Sequence, residues 1–291
     1  MPFSDYPFSP EQMCLLNLAR TSWVRRASAK RNNLSFGEES ITETVLMDLA
    51  DRFPGNVFIL PFNKRREAQY GADWAWAFES ADGSSVLPML VQAKALDLFD
   101  FEYPEIRRRI GRTKTRQIDQ LIDTATGWGW PAIYAFYNHL NDETRIPQNC
   151  GTLQLADLGT MPAAWGISIA DALSVRERLD DQTFDTHKQI SMPLHCLLCS
   201  NGRGVRLAGG SPAMALAALR RLRPADRSAA APLPPLFDQP LHELPPIFHL
   251  AKAAAEQRST KRGSDPLRNL QKQFPSIAGV VIVRDAESEE G

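Results

Sequence analysis

The chain has 291 residues, 43% of them hydrophobic and 23% charged, with a formal net charge of −1. That length suffices for one large domain or two smaller ones, and the composition is ordinary for a soluble globular protein. Near-neutral charge argues against a molecule that attracts nucleic acid as a whole. The lack of any run of about 18 apolar residues argues against a membrane span. The start, Met1-Pro2-Phe3-Ser4-Asp5-Tyr6, lacks the basic segment and apolar core of a secretory signal. The four scattered cysteines fit a reducing, cytoplasmic setting better than a disulfide framework.

In chain order, Pro10 to Lys30 predicts a helix with Leu15, Leu18, Ala19 and Trp23 at helical spacing. A second helix is expected over 37–50, its apolar stripe formed by Ile41, Val45 and Leu49 and its first turn acidic. A strand follows at 56–62, then a hairpin with strands over 72–78 and 86–96 joined through Asp82-Gly83. An amphipathic helix over 117–125, closed by Gly127, leads to the continuous apolar run Ala132–Tyr137, a buried strand. Beyond it the reading is a helix over 168–179, two strands flanking Asn201-Gly202, a helix over 212–222, a proline-rich stretch, a helix over 248–256 and a strand over 278–284. The tail from Glu287 is expected to be disordered. This divides the chain into an N-terminal helical segment (1–34), a core (35–140), an accessory α+β region (141–223), a proline-rich linker or loop (224–247) and a C-terminal helix and strand (248–291).

The chemistry concentrates in the hairpin. With Asp82 and Gly83 as the two loop residues, counting back along both strands brings Asp73 opposite Gln92, and Lys94 projects from the same face as Gln92. A carboxylate, an amide and an ammonium thereby meet at the open end of the hairpin. Asp73 suits a hard divalent cation, Gln92 can ligate it or orient water, and Lys94 is a point charge for a phosphate oxygen or for water activation. Pro88 threatens this register. Alternation outward from an Ala81–Ser84 closing pair puts it in a hydrogen-bonded position with no N–H to give, so a bulge is expected near Leu87-Pro88-Met89.

Asp, a hairpin, then Gln-x-Lys resembles the PD-(D/E)xK nuclease superfamily, in which some members carry Gln at the second position. Ala72 stands where the name-giving proline would be. The element order over about 35–140 also resembles that superfamily's core, a four-stranded mixed sheet with a helix on each side. The resemblance implies an α/β, restriction-endonuclease-like fold and a Mg2+- or Mn2+-dependent endonuclease with a role in restriction or phage defence. It also implies a glutamate from the helix before the first strand. Glu38 lies on the apolar stripe of that helix and Glu39 toward its flank, both at its start, and Glu43 is read as solvated. The Gln in place of an acid keeps a second reading open: a nuclease-fold module without activity, binding nucleic acid or a protein.

Arg107, Arg108, Arg109, Arg112, Lys114 and Arg116 follow the Lys94 strand closely and are assigned to a nucleic-acid backbone, DNA first, at the rim of the site. A protein partner through the C-terminal half and a homodimer are the other assemblies considered. Cys196-Leu197-Leu198-Cys199, with His195 beside it, falls in an expected strand, where positions three apart point to opposite faces. It is read as buried free thiols rather than half a zinc site. Trp74, Trp76 and Phe78 are assigned to the core.

Overall fold

A computed structural model describes residues 8–61, 72–110, 115–147, 161–199, 210–222, 239–258, 266–274 and 277–286. The Asn201-Gly202 turn, most of the proline-rich stretch and the tail lie outside the described residues. The elements in order are α1 (Pro10–Arg31), α2 (Glu38–Arg52), β1 (Val57–Pro61), β2 (Ala72–Glu79), β3 (Val86–Ala95), β4 (Arg109–Ile110), β5 (Thr115–Arg116), α3 (Gln117–Trp128) and β6 (Ala132–Tyr137). They continue with β7 (Ile167–Asp171), α4 (Ala172–Arg176), α5 (Phe184–Lys188), β8 (Ser191–Pro193), α6 (Gly210–Leu222), α7 (Pro246–Arg258), α8 (Pro266–Gln273) and β9 (Ile277–Arg284).

Seven strands form one mixed sheet in the order β1-β9-β2-β3-β6-β7-β8. Alternate residues of the central strands feed two cores. Ala75, Ala77, Leu90, Tyr134 and Phe136 pack with Ile118, Leu121 and Ile122 of α3, Phe248 of α7 and Leu267 of α8. Phe78, Met89, Val91, Ala93 and Ile133, with Trp74 and Trp76, pack with Leu15 and Leu18 of α1, Ile41 and Val45 of α2 and Leu216 of α6. Helices therefore cover both faces, which accounts for strands as apolar as β3 and β6.

β1 does not pair with the hairpin. β9 lies between them, antiparallel to β1 and parallel to β2. Gly279 sits beside Trp74 in this ladder, and a Cβ there would come within 2.3 Å of the indole. The glycine lets the ring lie across β9.

The hairpin keeps the register expected from the sequence, with Trp74 opposite Val91 and Ala77 opposite Pro88, but the bulge at Pro88 does not form. The turn explains why. Ser80 N donates to Ser85 O at 2.9 Å, so Ser80 and Ser85 close the hairpin and residues 81–84 form the loop. Shifting the closing pair one step at constant register exchanges hydrogen-bonded and non-hydrogen-bonded positions. Pro88 consequently turns its nitrogen away from β2, on a side where β6 begins only opposite Leu90. No donor is missed.

Three other expectations are corrected. The helix expected over 168–179 is β7 followed by the short α4. Ile167 and Ile169 alternate into the second core, and Asp171 accepts from Leu173 N and Ser174 N to start α4. The strand expected from Leu194 is instead a 3-10 helix over Leu194–Leu198. Finally, α3 runs through Gly127 and ends at Gly129, whose φ of 70° is the left-handed cap that the earlier glycine does not supply.

Candidate active site at the open end of the hairpin

Asp73 stands one residue into β2, and Gln92 and Lys94 near the end of β3, where β3 is flanked on its other side by β6. Gln92 Nε2 donates to Asp73 Oδ2 at 2.6 Å, and Ala93 N donates to the same oxygen at 2.8 Å. Two donors on one oxygen fix the plane of the carboxylate. Gln92 is wholly buried, and its Oε1 has no hydrogen-bond partner among the described residues. Such an orphaned acceptor costs about 1–3 kcal/mol if nothing fills the place.

Lys94 is 1% exposed, an extreme for an ammonium. Its Nζ lies 3.8 Å from Glu38 Oε2 at the start of α2. Of the two glutamates at the start of α2, Glu38 is the one that pairs with Lys94. Glu39 is exposed, although it lines the same cleft, as does Glu43. Burial pushes Glu38 up to about 8; Lys94 opposes that shift and Asp73 adds to it. Burial likewise raises Asp73 above the usual carboxylate range, with Lys94 and the Ala93 and Gln92 hydrogen bonds acting the other way. Two carboxylates held toward protonation by burial, Glu38 by Asp73 as well, form a pair that a divalent cation would favour in the ionised state.

Arg26 holds these elements in place. This buried guanidinium donates to Phe36 O at 3.3 Å and to Leu96 O. Phe36 lies two residues before Glu38, and Leu96 two residues after Lys94, so one side chain ties the start of α2 to the end of β3.

The cleft opens to solvent and is lined by Glu38, Glu39, Thr42, Glu43, Asp73, Arg108 and Gln117 among others. Of the expected basic rim, Arg108 alone among the described residues lines this cleft. Arg107 instead binds the carbonyls of Leu179 and Asp180. Arg109 and Arg116 are exposed and face each other across the β4–β5 ribbon. Arg112 and Lys114 lie outside the described residues.

The chain belongs to DUF6615, a family of unknown function. The family model matches residues 11–289, from the first turn of α1 past the end of β9, so it takes in every strand of the sheet. Comparison with curated proteins and with solved structures gives no match.

Sequence reasoning misses three members of this DUF6615 site. Gln117, the first residue of α3, is buried and lines the cleft. Tyr134 is buried beside Gln92 in the β3–β6 ladder, and its hydroxyl has no hydrogen-bond partner among the described residues. Burial, with Asp73 and Glu38 next in effect, raises Tyr134 well above the usual phenol range. The signal for Tyr134 is the equal spacing of β6 along β3, usable only once their parallel register is known. Arg26 carries no local signal beyond its place on the core side of α1.

Proposed function

We propose that this chain is a metal-dependent nuclease that hydrolyses phosphodiester bonds, with a restriction-endonuclease-like core built on α2, β1, β2, β3, α3 and β6. The observation behind this reading is the meeting of Asp73, Gln92, Lys94 and Glu38 at one end of β3, with separations of 2.6 Å and 3.8 Å within the pairs. The orphaned Gln92 Oε1 and the two carboxylates with raised pKa fit Mg2+ or Mn2+, which favour oxygen donors. Asp73, Glu38 and Gln92 would hold the ion.

When bound, such an ion polarises phosphoryl oxygens and lowers the pKa of water. The chain supplies the rest. Gln92 Nε2 and Ala93 N orient the Asp73 carboxylate. Glu38, held toward protonation by burial, would lose its proton to solvent on ligating the ion. The Lys94 ammonium stands against the negative charge that grows on the phosphoryl group. Arg108, at the mouth, pairs with the neighbouring backbone phosphate. With β9 between β1 and β2, the four-stranded arrangement that the sequence resemblance implies is interrupted in this chain.

A second reading is an inactive module that binds nucleic acid or protein, favoured by Gln92 standing where a second carboxylate would serve. Cleavage assays separate the two. Purified protein with Mg2+ or Mn2+ is expected to degrade DNA or RNA, and Asp73→Ala and Lys94→Ala are each expected to lose several kcal/mol of transition-state stabilisation, about 10³-fold in rate. Activity that survives both substitutions removes the site, and inactivity on every nucleic acid tried favours the second reading.

A further inference from the structure

The turn after β8 gathers a different donor set. Three residues per turn of a 3-10 helix bring positions three apart onto one side. The 3-10 helix over Leu194–Leu198 does this for Cys196 and for Cys199, its C-cap. His195 joins them, and the ligand atoms of His195, Cys196 and Cys199 all lie within 4.8 Å of one another. His195 Nε2 is 3.7 Å from Cys196 Sγ. A tetrahedral zinc ion with sulfur and nitrogen ligands has ligand–ligand edges of about 3.5–3.8 Å, so closure requires movement on the order of 1 Å.

The platform beneath is buried. Leu194, Leu197 and Leu198 are buried in the second core, against α1 and α6. From α1, the buried Gln12 sends Nε2 to Cys199 Sγ at 3.0 Å. Outer-shell N–H donors of this kind steady the ligands of metal sites. The expectation of opposed thiols rests on a strand that does not exist here.

We propose that His195, Cys196 and Cys199 form a zinc site, with two thiolates and one imidazole as protein ligands and water in the fourth position. The ion ties the N-terminal part of α1, through Gln12, to the turn after β8. Both thiols release their protons on binding. The site is separate from the Asp73 cleft in its residues and its donor chemistry, and it does not rest on the nuclease reading.

Cobalt is the probe. Metal-stripped, reduced full-length protein titrated with Co2+ is expected to show a sulfur-to-cobalt charge-transfer band and the intense visible bands of tetrahedral cobalt, both saturating at one sulfur-bound ion per chain whatever the oxygen donors of the Asp73 cleft take up. Zn2+ should displace both, and Cys196→Ser and Cys199→Ser should each abolish them. A wild-type measurement covers the case in which the variants do not fold. Alkylation of Cys196 and Cys199, followed by peptide mapping, is expected to slow about 100-fold when free Zn2+ stands at 100 times its Kd. No charge-transfer band, bands that persist in either folded variant, alkylation indifferent to Zn2+, or a Cys196–Cys199 disulfide in the freshly purified protein would each overturn the site.

Discussion

The Asp73 cleft and the turn at 195–199 gather donor atoms by opposite means. The Asp73 site draws on long-range pairing: Asp73 of β2 and Glu38 of α2 in the cleft, with Gln92 and Lys94 buried on β3, held together by strand register and by Arg26. Its donors are carboxylate and amide oxygens, which suit hard ions. The turn takes its three donors from five consecutive residues, through the pitch of one 3-10 helix, and they are sulfur and nitrogen. A site assembled across the fold depends on elements that never touch the ion. A site assembled within one turn depends chiefly on that turn.

Arg26 offers the sharpest way to break this contrast. Arg26→Met removes the link between Phe36 and Leu96 without touching Asp73 or Lys94. Misplacement of a catalytic group by about 1 Å costs about 10²-fold, so cleavage should fall by that order, with kcat reduced more than KM is raised. The Co2+ bands of the 195–199 turn, measured on the same variant, should be retained. Equal loss of both would mean that Arg26 acts on the fold at large.

Gln92→Glu sharpens the comparison of donor sets. It removes the N–H given to Asp73 and adds a charge beside it, so the metal-free protein should lose about 1–3 kcal/mol of stability. The melting shift produced by Mg2+ should grow at the same time. Unchanged Mg2+ stabilisation would place the ion away from Gln92.

Acidity provides a third test. Burial pushes Glu38 up to about 8 in the folded protein from an ordinary 4.5. The folded state then binds more protons than the unfolded state between those values, so this group's contribution to stability is present below about 4.5 and is lost as pH rises toward 8. The unfolding free energy of the wild type minus that of Glu38→Gln, both chelator-treated, should fall across that window with a slope of at most about 1.4 kcal/mol per pH unit. A difference that stays flat would assign the titration elsewhere.

Arg108→Ala is the smallest expected effect. Removing one arginine–phosphate pair should weaken nucleic-acid binding evenly across sequences and lower the salt slope of log K by about one. The same change at Arg107 should instead appear in stability, because that side chain is committed to the 179–180 carbonyls.

The parts of this site legible in the sequence are those fixed by local alternation. Asp73 and Gln92 can be brought together because period-two side chains and the Asp82-Gly83 turn determine the register. Even there the dipeptide points to a closing pair one step off, since Ser80 and Ser85 compete with Ala81 and Ser84 and nothing in Asp-Gly favours either. β9 is visible as a strand, yet its place between β1 and β2 is not, because parallel pairing over such separation leaves no trace in neighbouring residues. Ile167–Asp171 and Leu194–Leu198 mislead for a related reason. Short apolar runs suit helix, strand and 3-10 turn alike, and the outcome is decided by Asp171 as a cap and by the packing of three leucines.

The most direct measurement is an anomalous-scattering map of crystals soaked in Mn2+. An ion within about 2.1–2.2 Å of Asp73 and Glu38 oxygens, with Gln92 Oε1 turned toward it, is the predicted result. A map with no ion between those carboxylates at saturating Mn2+, or with Lys94 Nζ occupying that place, would contradict the account.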